Sequence, residues 1–223
     1  MKMKSEILHE LKEHVPFTAA ATLIAVLIMS FLLVKENLIL YSLSLFHVFH
    51  PAHIFFSSIV SAAIFYHYRK NIFLALVSSI SIAIAIGSLS DIIFPYLGSL
   101  LFNIPISFHL PAIESPFLIF SVAILGSITG IIWKKTKFPH FIHVLISVFA
   151  SLLYIFAYSA NFSLLTIILI FIITTISVVI PCCLSDIVFP ILFQNKLRKE
   201  KISHEQKISG KIKRRKPEVS SQR

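Results

Sequence analysis

Apolar runs of about twenty residues recur along this chain of 223 residues, and they constrain its fold more than any other feature. An α-helix rises about 1.5 Å per residue, so each run can cross a hydrocarbon core about 30 Å thick. With 57% hydrophobic residues and a mean hydropathy of +0.87, the chain is too apolar for an ordinary soluble domain. The runs are continuous and do not alternate, which excludes a β-barrel of short two-faced strands. The expected fold is all-α: a polytopic transmembrane bundle of about six spans.

The spans are expected at 16–34, 51–66, 72–94, 111–133, 139–158 and 162–181. Prolines at 16, 51, 111 and 139 suit opening turns, and Pro95 and Pro181 suit ends. Between the spans lie apolar pieces too short to cross, at 38–48, 96–106 and 184–192, which read as half-helices. Residues 1–15 form an amphipathic lead-in whose mixed charges do not resemble a cleaved signal. Residues 16–195 form one membrane domain, and 196–223 a basic, flexible tail.

Charge sets the expected orientation. Arg69 and Lys70 follow span two, Lys134, Lys135 and Lys137 follow span four, and the tail follows span six. In a six-span chain these regions share one face with the N-terminus, so positive-inside puts both termini in the cytoplasm. The tail, with eleven Lys and Arg against three acids from Lys196 onward, carries most of the net charge of +10. Attraction to an anionic leaflet explains it, with lipid as the partner. Without an aromatic platform or a binding module, no specific nucleic-acid partner is expected.

Two segments repeat. FHPAHIFFSSIVSAAIF from Phe49 resembles FHLPAIESPFLIFSVAILGSITGII from Phe108, which suggests two related hairpins. LSDIIFPYL from Leu89 matches LSDIVFPIL from Leu184 at seven of nine positions. Those copies fall on opposite faces, as inverted repeats do in transporters, although similar helix ends can also converge.

Apart from Glu36 in the first connection, only Asp91, Glu114 and Asp186 are acids in the body of the chain, and ionisable residues near membrane depth are costly. His47, His50 and His53 recur at every third position, and His109 precedes Glu114. The orientation places all of these except Asp186 at the extracytoplasmic ends of the spans. Imidazoles with a carboxylate suit a divalent transition metal, zinc above all, and suit calcium or magnesium poorly. No named metal motif is present.

The reading this favours is an intramembrane metal-dependent hydrolase acting on an amphiphilic lipid or membrane-embedded peptide. His50, His53 and His109 would be the primary ligands, with Asp91 as fourth ligand or orienting acid. Glu114 would be the general base, and His47 a further ligand or donor. The second reading is a transporter or channel for a divalent cation or small anion, with Asp186 as an inner gate. The third is a structural or assembly protein whose SSIVSAA and GSITG stretches pack helices closely. The remaining candidates have simpler readings. His140 and His143 read as interfacial packing at the start of span five, and the adjacent Cys182 and Cys183 as small buried side chains. No serine sits in a nucleophile motif.

Overall fold

The computed structural model describes residues 16, 19–28, 38–133, 137–159 and 163–183. Among them the fold is all-α. The helices are α1 (Ala19–Ile28), α2 (Leu38–Arg69), α3 (Ile72–Ser88), α4 (Phe94–Leu101), α5 (Pro111–Glu114), α6 (Pro116–Trp133), α7 (Lys137–Tyr158) and α8 (Leu164–Cys183). A five-residue π-helical turn, Leu89–Ile93, joins α3 to α4. Among the described residues three stretches are long and apolar enough to cross a membrane: Tyr41–His67, Ile72–Leu101 and Pro116–Trp133. Ala19–Ile28, Ile142–Tyr158 and Leu165–Pro181 are shorter apolar helices. The described residues therefore hold helices consistent with an integral membrane protein, three of them long and apolar enough to cross a membrane, against the six spans expected.

Two expected span boundaries are overturned, and both corrections move the histidines and Asp91. Helix α2 continues straight through Pro51, joining the expected half-helix 38–48 to the expected span 51–66. Proline costs a helix interior one hydrogen bond, about 3 kcal/mol in water, but membrane helices tolerate it where neighbouring helices compensate. The compensation is visible in a buried stripe of Ser42, Phe46, His50, Ile54, Ser57, Ser58 and Ser61. Its three- and four-residue steps run unbroken across the proline. The buried face, and not the local break signal, decides.

Likewise α3, the π-turn and α4 form one apolar stretch across Pro95. Proline cannot donate to the carbonyl four residues back, and its ring crowds that carbonyl, here Asp91. The chain answers by widening the preceding turn: the Phe94 N–H reaches back five residues to the Leu89 carbonyl. Asp91 sits in the middle of that turn and is fully buried.

The FHPAH and FHLPA segments consequently differ in structure. The first lies inside a long helix, while the second is a loop leading into α5, with Pro111 at a true helix start. The 184–192 copy of the other repeat lies outside the described residues.

The α2–α3 connection follows its sequence closely. Lys70 takes a left-handed φ of 50° and its N–H binds the Tyr66 carbonyl at 3.0 Å, ending α2. Asn71 then caps α3 by accepting from the Leu74 N–H at 3.1 Å. At the far end of the bundle, residues 102–110 form a loop pinned to the end of α7. Ile106 bridges Ser159, and the Ser107 N–H reaches the Tyr158 carbonyl at 3.3 Å.

Helix α2 is the axis of the bundle. Against one side packs α6, close enough that a Cβ added at Gly126 would lie 2.3 Å from the Phe55 carbonyl oxygen. One at Gly130 would lie 2.3 Å from that of Ile59. The GSITG stretch is thus a Gly-x-x-x-Gly contact within the chain. On another side packs α7, whose buried Val144, Val148, Leu152 and Ile155 join Phe46, Ile92 and Ile170 in the main core. The outward faces carry large apolar side chains such as Phe117, Ile132 and Phe73, as helices in lipid do.

Candidate functional site

The continuity of α2 and of the α3–α4 stretch puts the unusual residues deep in the bundle, away from helix ends. His53 lies about 18 Å from the Tyr41 end and about 21 Å from the His67 end of its apolar stretch. The widened turn brings Asp91 to the same level. Its Oδ2 accepts from Nδ1 of His50 at 2.9 Å and from Nδ1 of His53 at 2.8 Å, and Oδ1 lies 3.0 Å from the latter.

Two hydroxyls complete the carboxylate's environment. Ser90 donates to Oδ1 at 2.7 Å, and Ser147 of α7 donates to the same oxygen at 2.9 Å. Ser151, one turn further along α7, donates to the Ser90 carbonyl at 2.9 Å and so fixes the π-turn against α7. His50, His53, Ser90, Asp91, Ser147 and Ser151 are all fully buried.

An ionised carboxylate only accepts, so each imidazole must carry its hydrogen on Nδ1 to bond it. That leaves the Nε2 atoms of His50 and His53, which are buried without a hydrogen-bond partner among the described residues. The rings are held from the side. His50 stacks on Phe46 with centroids 5.5 Å apart and planes at 17°. His53 stacks on His143 of α7 at 5.5 Å and 6°. Beside His53, the absence of a side chain at Gly87 leaves room: a Cβ there would meet Ile54 at 2.9 Å and His53 Nδ1 at 3.8 Å.

The other candidates gather at the loop end. His109 Nε2 meets Glu114 Oε2 at 2.6 Å, with both side chains partly exposed. The other Glu114 oxygen accepts from the Leu110 N–H at 3.2 Å and closes the start of α5. His47 sets its edge against His109 at 5.7 Å, and His109 lies over Tyr158 at 5.0 Å. Between the two groups stands Tyr154, whose hydroxyl donates to the Ser107 carbonyl at 3.1 Å and accepts from the His109 N–H at 3.3 Å. His50, His53 and Asp91 are therefore brought together, and His47, His109 and Glu114 form a separate cluster. Asp186 lies outside the described residues.

The expected zinc or other divalent metal is overturned. Among the described residues no group of three or more His, Cys, Asp or Glu side chains is arranged to hold a metal ion. The distances give the reason. Ligands around a tetrahedral ion at 2.0–2.1 Å stand about 3.3 Å from one another. The Asp91 carboxylate instead meets both imidazoles at 2.8–2.9 Å, and Glu114 meets His109 at 2.6 Å, which are hydrogen-bond separations. The nitrogen lone pairs facing the carboxylate are replaced by N–H bonds, and His109, the expected third ligand, pairs elsewhere.

Comparison with protein families, with characterised proteins and with solved structures finds no match.

Sequence reasoning missed the contribution of α7. His143, Ser147, Ser151, Tyr154 and Tyr158 follow one another at three- and four-residue steps, a polar stripe on one face of an apolar helix. That periodicity was available in the sequence. His143 is fully buried, because the stripe faces α2 and the π-turn.

Proposed function

We propose that this is an integral membrane protein that translocates protons, with Asp91, His50 and His53 as its proton-binding centre. The observation that carries the reading is one fully buried carboxylate shared by two imidazoles at membrane depth. An ionisable group there is expensive and marks a path or relay more often than a packing device. The chemistry fits. With Asp91 ionised and one imidazole protonated the centre is neutral, so gain or loss of one proton changes its net charge by one. Serine hydroxyls on Oδ1 stabilise the ionised state without fixing the proton.

The hydrolase reading took its water activation from a metal and is not carried forward. Among the three sequence-based readings, transport is the one the buried centre favours. An assembly protein would leave a carboxylate bonded by two imidazoles and two hydroxyls without a task. The orientation proposed is both termini in the cytoplasm, from the basic connections, with the tail resting on anionic lipid. That puts the 102–110 loop on the extracytoplasmic side.

The test is flux. Purified full-length protein in liposomes with an internal pH-sensitive dye is exposed to a pH step. Acidification faster than in empty liposomes, and its loss in Asp91→Asn, supports the reading. Equal rates for wild type and empty liposomes reject it.

A further inference from the structure

Resting on that proton-binding centre, we infer that His143 is the cytoplasmic-side link of the proton route, which descends from the His109–Glu114 mouth through His50, Asp91 and His53. The inference comes from the order of groups along two antiparallel helices. Along α2, His47, His50 and His53 lie progressively further from the loop end, about 4.5 Å apart by helical rise. Along α7, running the other way, Tyr158, Tyr154, Ser151, Ser147 and His143 descend from the same end. The ring contacts join the two series. His47 meets His109, Phe46 meets His50 and Tyr154, and His53 meets His143.

The centre has two free ends. Because both Nδ1 atoms converge on Oδ2 of Asp91, each Nε2 points away from the carboxylate. Both are buried with no hydrogen-bond partner among the described residues. That is the arrangement of a three-member relay whose terminal atoms await a donor and an acceptor. Among the described residues, α8 contains no Asp, Glu, Lys, Arg or His over Leu164–Cys183, its titratable groups being Cys182 and Cys183 at its C-terminal end, and α3 and α4 contribute only Tyr96. Among the described residues, His143 is the titratable group stacked against the deeper imidazole.

The transfer balances. A proton arriving at His50 Nε2 makes an imidazolium, which releases its Nδ1 proton to Oδ2 of Asp91. His53, which donates from Nδ1 while Asp91 is ionised, must first shift its hydrogen to Nε2; the protonated Asp91 then donates from Oδ2 to His53 Nδ1. The His53 imidazolium releases the Nε2 proton to His143 through one bridging water or a ring rotation, since stacked rings do not share a hydrogen bond directly. One proton enters and one leaves; His53 ends with its hydrogen on Nδ1 as in the resting centre, and His50, left with its hydrogen on Nε2, must move it back to Nδ1 before the next transfer.

The experiment compares wild type, Asp91→Asn, His143→Phe and His143→Ala in the same pH-jump liposomes, with infrared titration of the Asp91 carboxylate band. Expected are a tenfold or greater loss of flux in both His143 variants, a carboxylate that still titrates in them, and recovery of flux in His143→Ala on adding imidazole. Recovery separates a relay from a structural support. Wild-type flux in His143→Phe overturns the inference. So does loss of flux in His143→Ala that imidazole leaves unrestored, whether or not that variant folds well. Flux in Asp91→Asn equal to wild type overturns the proton-binding centre itself, a distinct failure.

Discussion

Replacing Asp91 by alanine should reveal how much of the bundle's stability passes through one carboxylate. Four donors converge on it: Nδ1 of His50 and of His53, and the hydroxyls of Ser90 and Ser147. In membrane proteins an interhelical hydrogen bond contributes about 0.6 kcal/mol on average, so the three from His50, His53 and Ser147 contribute about 1.8 kcal/mol. A buried donor left with nothing to bind costs more, about 1 kcal/mol at the low end, which raises the sum to about 4 kcal/mol. Asp91→Ala should therefore destabilise by about 2–4 kcal/mol, read from denaturant-driven unfolding in bicelles. Replacing His50→Leu, His53→Leu and Asp91→Leu at once removes both imidazole donors together with the buried charge, and leaves the Ser147 hydroxyl the Ser90 Oγ, and the Ser90 hydroxyl the Gly87 carbonyl, as acceptors. Such apolar replacements are commonly neutral or stabilising. The triple variant should recover most of the lost stability while conducting no protons. A loss below about 1 kcal/mol in Asp91→Ala, or a triple variant as unstable as the single, would refute the reasoning that the cluster is kept for its chemistry.

Other outcomes follow from the packing and the loop. Gly130→Leu should prevent the close approach of α6 to the Ile59 carbonyl and abolish folding in detergent, whereas Thr129→Ala, on the exposed side, should leave the unfolding midpoint nearly unchanged. Tyr154→Phe removes the hydroxyl that holds Ser107 and the His109 N–H. It should cost about 1–2 kcal/mol and speed amide exchange over residues 102–110, measured by mass spectrometry. Glu114→Gln breaks a partly exposed pair and should change stability by less than about 1 kcal/mol, a small effect beside Asp91→Ala. Single cysteines at Ser5 and Ser220 should both react with a membrane-impermeant maleimide only after the cytoplasmic face is opened; labelling of either in intact cells would reverse the proposed topology.

The class of fold was legible because apolar length is a strong signal, and the α2–α3 turn was legible because Lys70 and Asn71 act locally. The helix boundaries at Pro51 and Pro95 were not. Proline is a local break signal, and in both places the neighbouring helices outweigh it, through a buried stripe in one case and a widened turn in the other. The displaced boundaries move the site from helix ends to the middle of long helices: the sequence groups His50, His53 and Asp91 but sets them at helix ends, where a metal with open coordination fits. At depth, the same three side chains satisfy one another. His109 and Glu114 were grouped with them by face alone, and nothing in the sequence told that Tyr154 and Phe46 would stand between. The α7 stripe of His143, Ser147 and Ser151 was readable by its spacing.

The widened turn at Leu89–Ile93 also sets the phase of everything that follows it. One residue in an α-helix is about 100° of rotation, and the π-turn absorbs one residue beyond the regular count. The face that α4 shows to α8, where Gly98 meets the Ile173 side chain, is therefore out of step with the faces of α3. A one-residue deletion in this turn would produce a straighter, more regular helix that can align α3 and α4 with their neighbours only one at a time. Tolerance of length changes should consequently be lowest in a stretch that looks, by hydropathy alone, like interchangeable membrane filler.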